Sequence, residues 1–127
     1  MAGSPWGTIQ QSENIVRGVR VVSTASHSGI MVSPQSAHKY LSEAARNAAL
    51  RWNEFYCFEE DCDAAIVLSE FVKNLTGTTN SIVKWAIENP VEISHSLNTY
   101  NSEYLAARNA EMKQQCDTLR YHMMVNS

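Results

Sequence analysis

Two stretches decide the fold: Gly18-Val-Arg-Val-Val-Ser-Thr-Ala-Ser-His27-Ser-Gly29-Ile-Met-Val-Ser33 and Phe55-Tyr-Cys-Phe-Glu59-Glu60-Asp61-Cys62-Asp63. In the first, Val19, Val21 and Ser23 alternate with Arg20, Val22 and Thr24, a period of two that reads as a strand. Ala-Ser-His-Ser-Gly supplies turn chemistry, with Gly29 expected at positive φ, and Ile30-Met-Val returns as a second strand. In the second, the aromatic-rich run from Glu54 to Phe58 reads as a strand that adds to this hairpin. It delivers Glu59, Glu60 and Asp61 to the start of a helix, where the helix dipole favours negative charge.

Working outward, residues 1–5 read as a loose end. The run from Trp6 to Gln11 reads as an edge strand or a cap over the core, and Arg17-Gly18 as a turn. Ser33-Pro34 opens a helix, with serine as cap and proline at the first helical position. Its apolar face is Ala37, Tyr40, Leu41, Ala44, Ala45 and Ala48, and Leu50-Arg-Trp-Asn reads as its exit turn. A helical stripe from Ala64 to Leu75 ends near Gly77, and Thr78 or Thr79 is expected to cap a short helix carrying Ile82, Val83, Trp85, Ala86 and Ile87. Asn89-Pro90-Val91-Glu92 is a further start signal. From Val91 to Met124 there is no proline or glycine. This stretch reads as helix, straight or broken near Asn98 to Asn101, with a sparse seam of Leu97, Tyr100, Tyr104, Leu105, Met112, Cys116, Leu119 and Met123. A helix so thinly apolar packs along one seam or projects toward a partner.

The fold expectation is therefore α+β: a small antiparallel sheet in the N-terminal half packed by helices, with a helical C-terminal extension. The 127 residues make a single domain, 6–75 as the α+β core and 78–125 as the extension. Hydrophobic residues at 44% and charged ones at 18% exclude a wholly disordered chain, and no apolar run is long enough for a membrane span. Three cysteines, with no C-x-x-C, point to reduced thiols and a cytoplasmic setting. A formal charge of -3 does not favour a phosphate-binding surface, so nucleic acid is not the expected partner.

His27, in a Ser/Gly turn, suits a general base, a ligand contact or a metal ligand, and equally a loop histidine bonded to nearby backbone. Glu59, Glu60 and Asp61 could work with it as an acid/base set or a metal clamp; helix-start charge explains them as well, and they could pair with Arg17, Arg20 or Arg51. Cys57 and Cys62 could join His27 at zinc, but four ligands at recognisable spacing are missing, and no cofactor or metal is expected. Cys62, placed in the first helical turn, has its thiolate opposed by the acids before it.

Trp6-Gly7, Gly18-Val19, Ser23-Thr24-x-Ser26-His27-x-Gly29 and Tyr56-x-Phe58-Glu59-Glu60-Asp61-Cys62-x-x-Ala65 together resemble an uncharacterised domain of bacterial phages and mobile elements, over about residues 6 to 72. The turn there usually reads Ser-His-Gly-Gly, so Ser28 is a departure. Residues 76 to 127 lie outside the resemblance. It brings no assigned activity; it implies a phage or mobile-element origin, hence the host cytoplasm, and a paired role for His27 and the acidic block. The leading expectation is a non-catalytic protein that binds and inhibits a host protein such as a defence component. Tyr100, Tyr104, Arg108 and Met112 would present the interface on an exposed helix, with His27 as a further contact. A homodimer through that helix is also expected. The alternatives are a small hydrolase-like enzyme using His27 with Glu59, Glu60 or Asp61, and, more weakly, a nucleic-acid binder using Arg17, Arg20, Arg46 and Arg51.

Overall fold

The computed structural model describes residues 3–72 and 80–126. A two-stranded hairpin, β1 (Gly3–Ser4) and β2 (Gly7–Thr8), precedes a five-stranded antiparallel sheet of β3 (Gln11–Val16), β4 (Val19–Ser23), β5 (Ser28–Val32), β6 (Leu50–Trp52) and β7 (Phe55–Glu59). The sheet order is β3-β4-β5-β7-β6. Between β5 and β6 run α1 (Pro34–Tyr40) and α2 (Glu43–Ala48); after β7 come α3 (Ala64–Val72), α4 (Ser81–Glu88), α5 (Pro90–Tyr100) and α6 (Ser102–Val125). The α+β reading holds, with the sheet in the N-terminal half and helices after it.

Pairing of β5 with β7 joins the two deciding stretches, with Gly29 opposite Glu59 and Met31 opposite Cys57. Alternation then gives the sheet two buried faces. Val19, Ile30, Val32, Tyr56 and Phe58 face the helices, packing with Ala37, Leu41, Ala45, Ile66, Val67, Phe71 and Val83. On the other face Val22, Met31 and Cys57 join Ile9 beneath Trp6, Trp52 and Phe55. Gly3 and Ser4 are thus paired in β1 rather than a loose end, and Trp6 and Ile9 after them cover the second face; Met1 and Ala2 lie outside the described residues. Ser4 is buried, its hydroxyl donating to the Gly7 carbonyl at 2.7 Å and accepting from the Trp6 N–H at 3.2 Å.

Two glycines serve different ends. Gly18 turns β3 into β4 at φ +82, and a Cβ there would meet the Ser36 and Ser33 hydroxyls at 2.1 and 2.6 Å. Gly29 lies within β5 and is absent from the positive-φ residues, contrary to the turn role expected of it. The reason for glycine is the Trp6 ring, which a Cβ at Gly29 would meet at 2.2 Å. Ser28 likewise sits in extended backbone opposite Ser23, so its side chain is no obstacle to the turn.

Several boundaries differ from the sequence reading. Leu50–Trp52 is a strand, not an exit turn, because Asn53 and Glu54 both adopt positive φ (45° and 73°) and close a two-residue hairpin into β7. The helix opened by Ser33-Pro34 stops at Leu41, since Ser42 caps a new helix by accepting from the Ala45 N–H at 3.1 Å. Asn80 caps α4, accepting from the Ile82 and Val83 N–H groups, while its amide reaches Glu13 Oε1 at 3.2 Å in β3. Leu75, Gly77, Thr78 and Thr79 lie outside the described residues. Asn89 makes no side-chain cap to α5; its amide donates back to the Trp85 carbonyl at 2.7 Å. The long C-terminal stretch is broken at Asn101, whose buried amide donates to the Cys62 carbonyl at 2.7 Å.

The helical layer is tied by one buried carboxylate. Glu70, 7% exposed, accepts from the Ser42 N–H and hydroxyl, both at 2.7 Å, and from the Tyr104 hydroxyl at 2.5 Å. Glu111 of α6 adds a second long-range cap to α2, accepting from the Ala44 N–H at 2.6 Å, and its other oxygen pairs with Arg108 at 3.0 Å. Burial, then the bond to Glu70, pushes the Tyr104 hydroxyl well above its ordinary pKa. Its folded-state pKa is raised, so the stabilisation is complete below the unfolded value near 10 and is lost as pH rises toward the folded one. Tyr104→Phe should lose about 1.5–3 kcal/mol at neutral pH in urea unfolding. The gap to wild type should narrow above about pH 10, where Tyr104 ionises in the unfolded wild type before the folded one and the phenylalanine variant has no proton there to lose.

Candidate functional site

The β4–β5 connection is closed locally. The Thr24 N–H donates to the His27 carbonyl at 2.8 Å, and the Thr24 hydroxyl both donates to that carbonyl and accepts from the His27 N–H, each at 3.1 Å. These bonds occupy the backbone of His27 and leave its ring to the side. Across the β5–β7 pairing, the Glu60 N–H donates to the Ser28 carbonyl at 3.0 Å, which carries the acidic block alongside the turn. His27 Nδ1 stands 3.8 Å from Glu59 Oε1. The two stretches therefore meet, and of the three acids it is Glu59 that stands nearest the imidazole in an ion-pair contact.

Thr24, Ala25, Ser26, His27, Ser28, Glu59, Glu60 and Asp61 line a polar depression of about 310 Å³. The His27 and Glu59 side chains are 49% and 37% exposed, so their interaction is screened by water and contributes little to stability. At 3.8 Å the pair is an ion-pair contact rather than a hydrogen bond. A carboxylate beside an imidazole is a pairing of residue types that general-base sites use. Among the described residues no hydroxyl is bonded to the ring; the Thr24 hydroxyl is committed to the His27 backbone. The partner that Glu59 finds is His27, not Arg17, Arg20 or Arg51.

The cysteines do not assemble with this histidine. Cys57 is buried on the second face of the sheet among Ile9, Val22 and Met31, and burial pushes its thiol up to about 11. Cys62 lies in the turn before α3 rather than in its first helical turn. Its thiol is raised by burial and then by the charges of Asp63 and Glu59, which opposes a thiolate nucleophile. The Asp63 carboxyl is raised as well, chiefly by burial. Among the described residues no group of three or more His, Cys, Asp or Glu side chains converges to hold a metal ion.

The arginines of the nucleic-acid alternative lie on four elements. Arg17 is in the β3–β4 turn and Arg20 in β4. Arg46 in α2 donates to the Leu41 carbonyl at 2.7 Å. Arg51 in β6 donates to the Glu54 carbonyl at 3.0 Å and stacks 3.8 Å from the Tyr56 ring centroid.

The residues proposed for a protein interface divide. Tyr100 and Met112 are exposed and Arg108 is partly so, held by Glu111. Tyr104 is not on the exposed face: it is 5% exposed and turned inward to Glu70. Beyond Glu111 every residue from 112 to 126 is exposed, and Gln114, Gln115, Thr118, Leu119 and His122 line an open depression of about 590 Å³ together with Ser42 and Glu43. Leu119, Tyr121, Met123, Met124 and Val125 stand in solvent there. The sequence signal for this arm was present in the stretch without proline or glycine. What it lacked was the location of the contact between Glu111 and the Ala44 N–H, which depends on where α2 begins. No helix among the described residues is long and apolar enough to cross a membrane.

Because the His27–Glu59 contact is half in water, His27→Ala should change folding stability by less than about 0.5 kcal/mol in chemical denaturation. A larger loss would mean that the imidazole also supports the fold.

No curated protein matches the sequence, and no solved structure does. Residues 1–121 match a family described as a domain of unknown function, DUF7007, so the match takes in the helical half as well as the sheet. With nearly its whole length matched and its sheet and helices sharing one core, the chain belongs to the DUF7007 family.

Proposed function

We propose that the protein is a non-catalytic binding protein whose tool is the projecting end of α6. The observation that carries this reading is the run of large apolar side chains left in water from Met112 onward, with Leu119 61% and Met124 76% exposed. Fourteen helical residues span about 20 Å at 1.5 Å per residue. Apolar surface grouped on one projecting element marks an interaction site more often than a chance of composition. Methionine and tyrosine are residue types that interface cores favour. Tyr100, 63% exposed at the end of α5, supplies a further aromatic contact. The resemblance of the sheet half to phage and mobile-element domains makes a host protein, inhibited by being bound, the expected target.

The test uses Leu119→Gln/Met123→Gln, which alters only exposed positions and should leave the melting temperature unchanged. A host protein captured by wild type, purified and shown to bind directly and to lose activity on binding, should bind the variant at least about tenfold more weakly, the effect of roughly 1.4 kcal/mol. Equal binding by the variant would overturn the role of the arm.

The 3.8 Å approach of His27 to Glu59 favours a second reading, a small hydrolase-like enzyme working in the 310 Å³ depression. It requires turnover of activated ester or phosphodiester substrates that disappears in both His27→Ala and Glu59→Gln. Turnover that persists in these folded variants, or none in wild type, removes it.

A further inference from the structure

The exposed end of α6 has a defined pattern. Leu105, Met112, Cys116, Leu119 and Met123 follow one another at intervals of seven, four, three and four, which places them on one stripe of the helix. Leu105 packs partly against the core, so the stripe begins at the body and runs outward. Lys113 and Arg120 each follow a stripe residue directly and border it on one side. Gln115 and His122 each precede one and border it on the other. Asp117 is the only carboxylate from 112 to 126, and it falls away from the stripe. In a chain of formal charge -3, this segment carries Lys113 and Arg120 against Asp117 alone.

These borders discriminate between partners. Two copies pairing in parallel would set Arg108 near Lys113 and Gln115 near Arg120. Pairing antiparallel, they would set the Lys113–Arg120 border against itself. Neither arrangement offers a carboxylate to a cation, and like charges flanking an apolar seam select against self-pairing. Resting on the reading of the arm as a binding element, we infer that it docks an amphipathic helix of a partner protein whose apolar face is flanked by aspartate or glutamate. The apolar stripe supplies the contact area and Lys113 and Arg120 select the acidic border.

The experiment uses the full chain and two synthetic helical peptides with the same leucine seam, one flanked by glutamate and one by lysine. Cys116, exposed at the centre of the stripe, reports coverage through its rate of thiol modification; Cys57 is buried and Cys62 partly so, and Cys62→Ser removes its signal. The glutamate peptide should slow Cys116 modification at a concentration at least about tenfold lower than the lysine peptide. That preference should shrink between about 50 mM and about 1 M salt, as the Debye length shortens and the charges act over a smaller range. It should invert in Lys113→Glu/Arg120→Glu, whose substitutions are exposed and leave the core alone. Equal protection by both peptides, or preference for the lysine peptide, overturns the inference. So does a dimer mass with Cys116–Cys116 crosslinking in the absence of peptide, since a second copy would then cover the stripe. A host protein lost in Leu119→Gln/Met123→Gln, together with no glutamate preference, removes the acidic partner alone. Undiminished host binding by that variant removes the arm reading itself.

Discussion

A carboxylate at 7% exposure would be costly if its charge were met by nothing. Glu70 is met by donors from two distant parts of the chain, Ser42 at the start of α2 and Tyr104 in α6. Each donor is held by its own element, so none of the three helices can shift without stranding the charge. The arrangement explains why α1 and α2 are separate helices. Ser42 must turn its N–H toward α3 while its hydroxyl caps Ala45, which a residue inside a continuous helix cannot do. Glu111 repeats the device one turn outward by taking the Ala44 N–H. With two acids from other helices at its first turn, the six-residue α2 is held by tertiary caps rather than by its own length.

The sheet is fixed from its other side by a close approach. Trp6 lies on Gly29, and together with Trp52 and Phe55 it covers Met31 and Cys57. Placing β5 between β4 and β7 with both faces covered leaves little freedom in its register, because a slip by one residue would exchange the two faces. That register sets Gly29 opposite Glu59, and hence His27 beside the acidic block. The His27–Glu59 pair is thus a consequence of sheet packing. Its own interaction, half in solvent, is too weak to be the cause of it.

The hairpin and the addition of the aromatic strand were legible because period-two alternation and β-branched residues report directly on a two-faced sheet. So was the cap at Ser33, since Ser-Pro before an apolar face leaves few alternatives. The break at Ser42 was not legible, as it depends on Glu70, twenty-eight positions away. The strand Leu50–Trp52 was hidden for a different reason. Its hairpin turn uses Asn53 and Glu54 at positive φ, where the usual signal would be glycine. Gly29 misled in the opposite sense: glycine signals open backbone and close approach alike, and only the position of Trp6 separates the two. At the candidate site, the pairing of β5 with β7 brings His27 to Glu59, but the sequence did not say which of the three acids would meet the ring, or that any would. Nor did it show the inward turn of Tyr104, because a helical seam of tyrosines does not say which one finds a buried acceptor.

The same carboxylates give the projecting arm its meaning. An isolated helix of about fifteen residues is marginal in water, because nucleation is unfavourable and its ends fray. Here the nucleus already exists: Tyr104, Arg108 and Glu111 are fixed on the body, and the helix extends from them. Extension needs only propagation, which its glutamine, lysine, arginine, methionine and leucine residues support. The outer turns are therefore aimed in a definite direction without being locked by packing. A binding element benefits from both properties, since less ordering is left for the moment of association while the apolar stripe stays uncovered until then. If the arm were only an end of the fold, its packing would not call for Met123, which is 65% exposed, because the arm's hydrogen bond to α2 is made at Glu111.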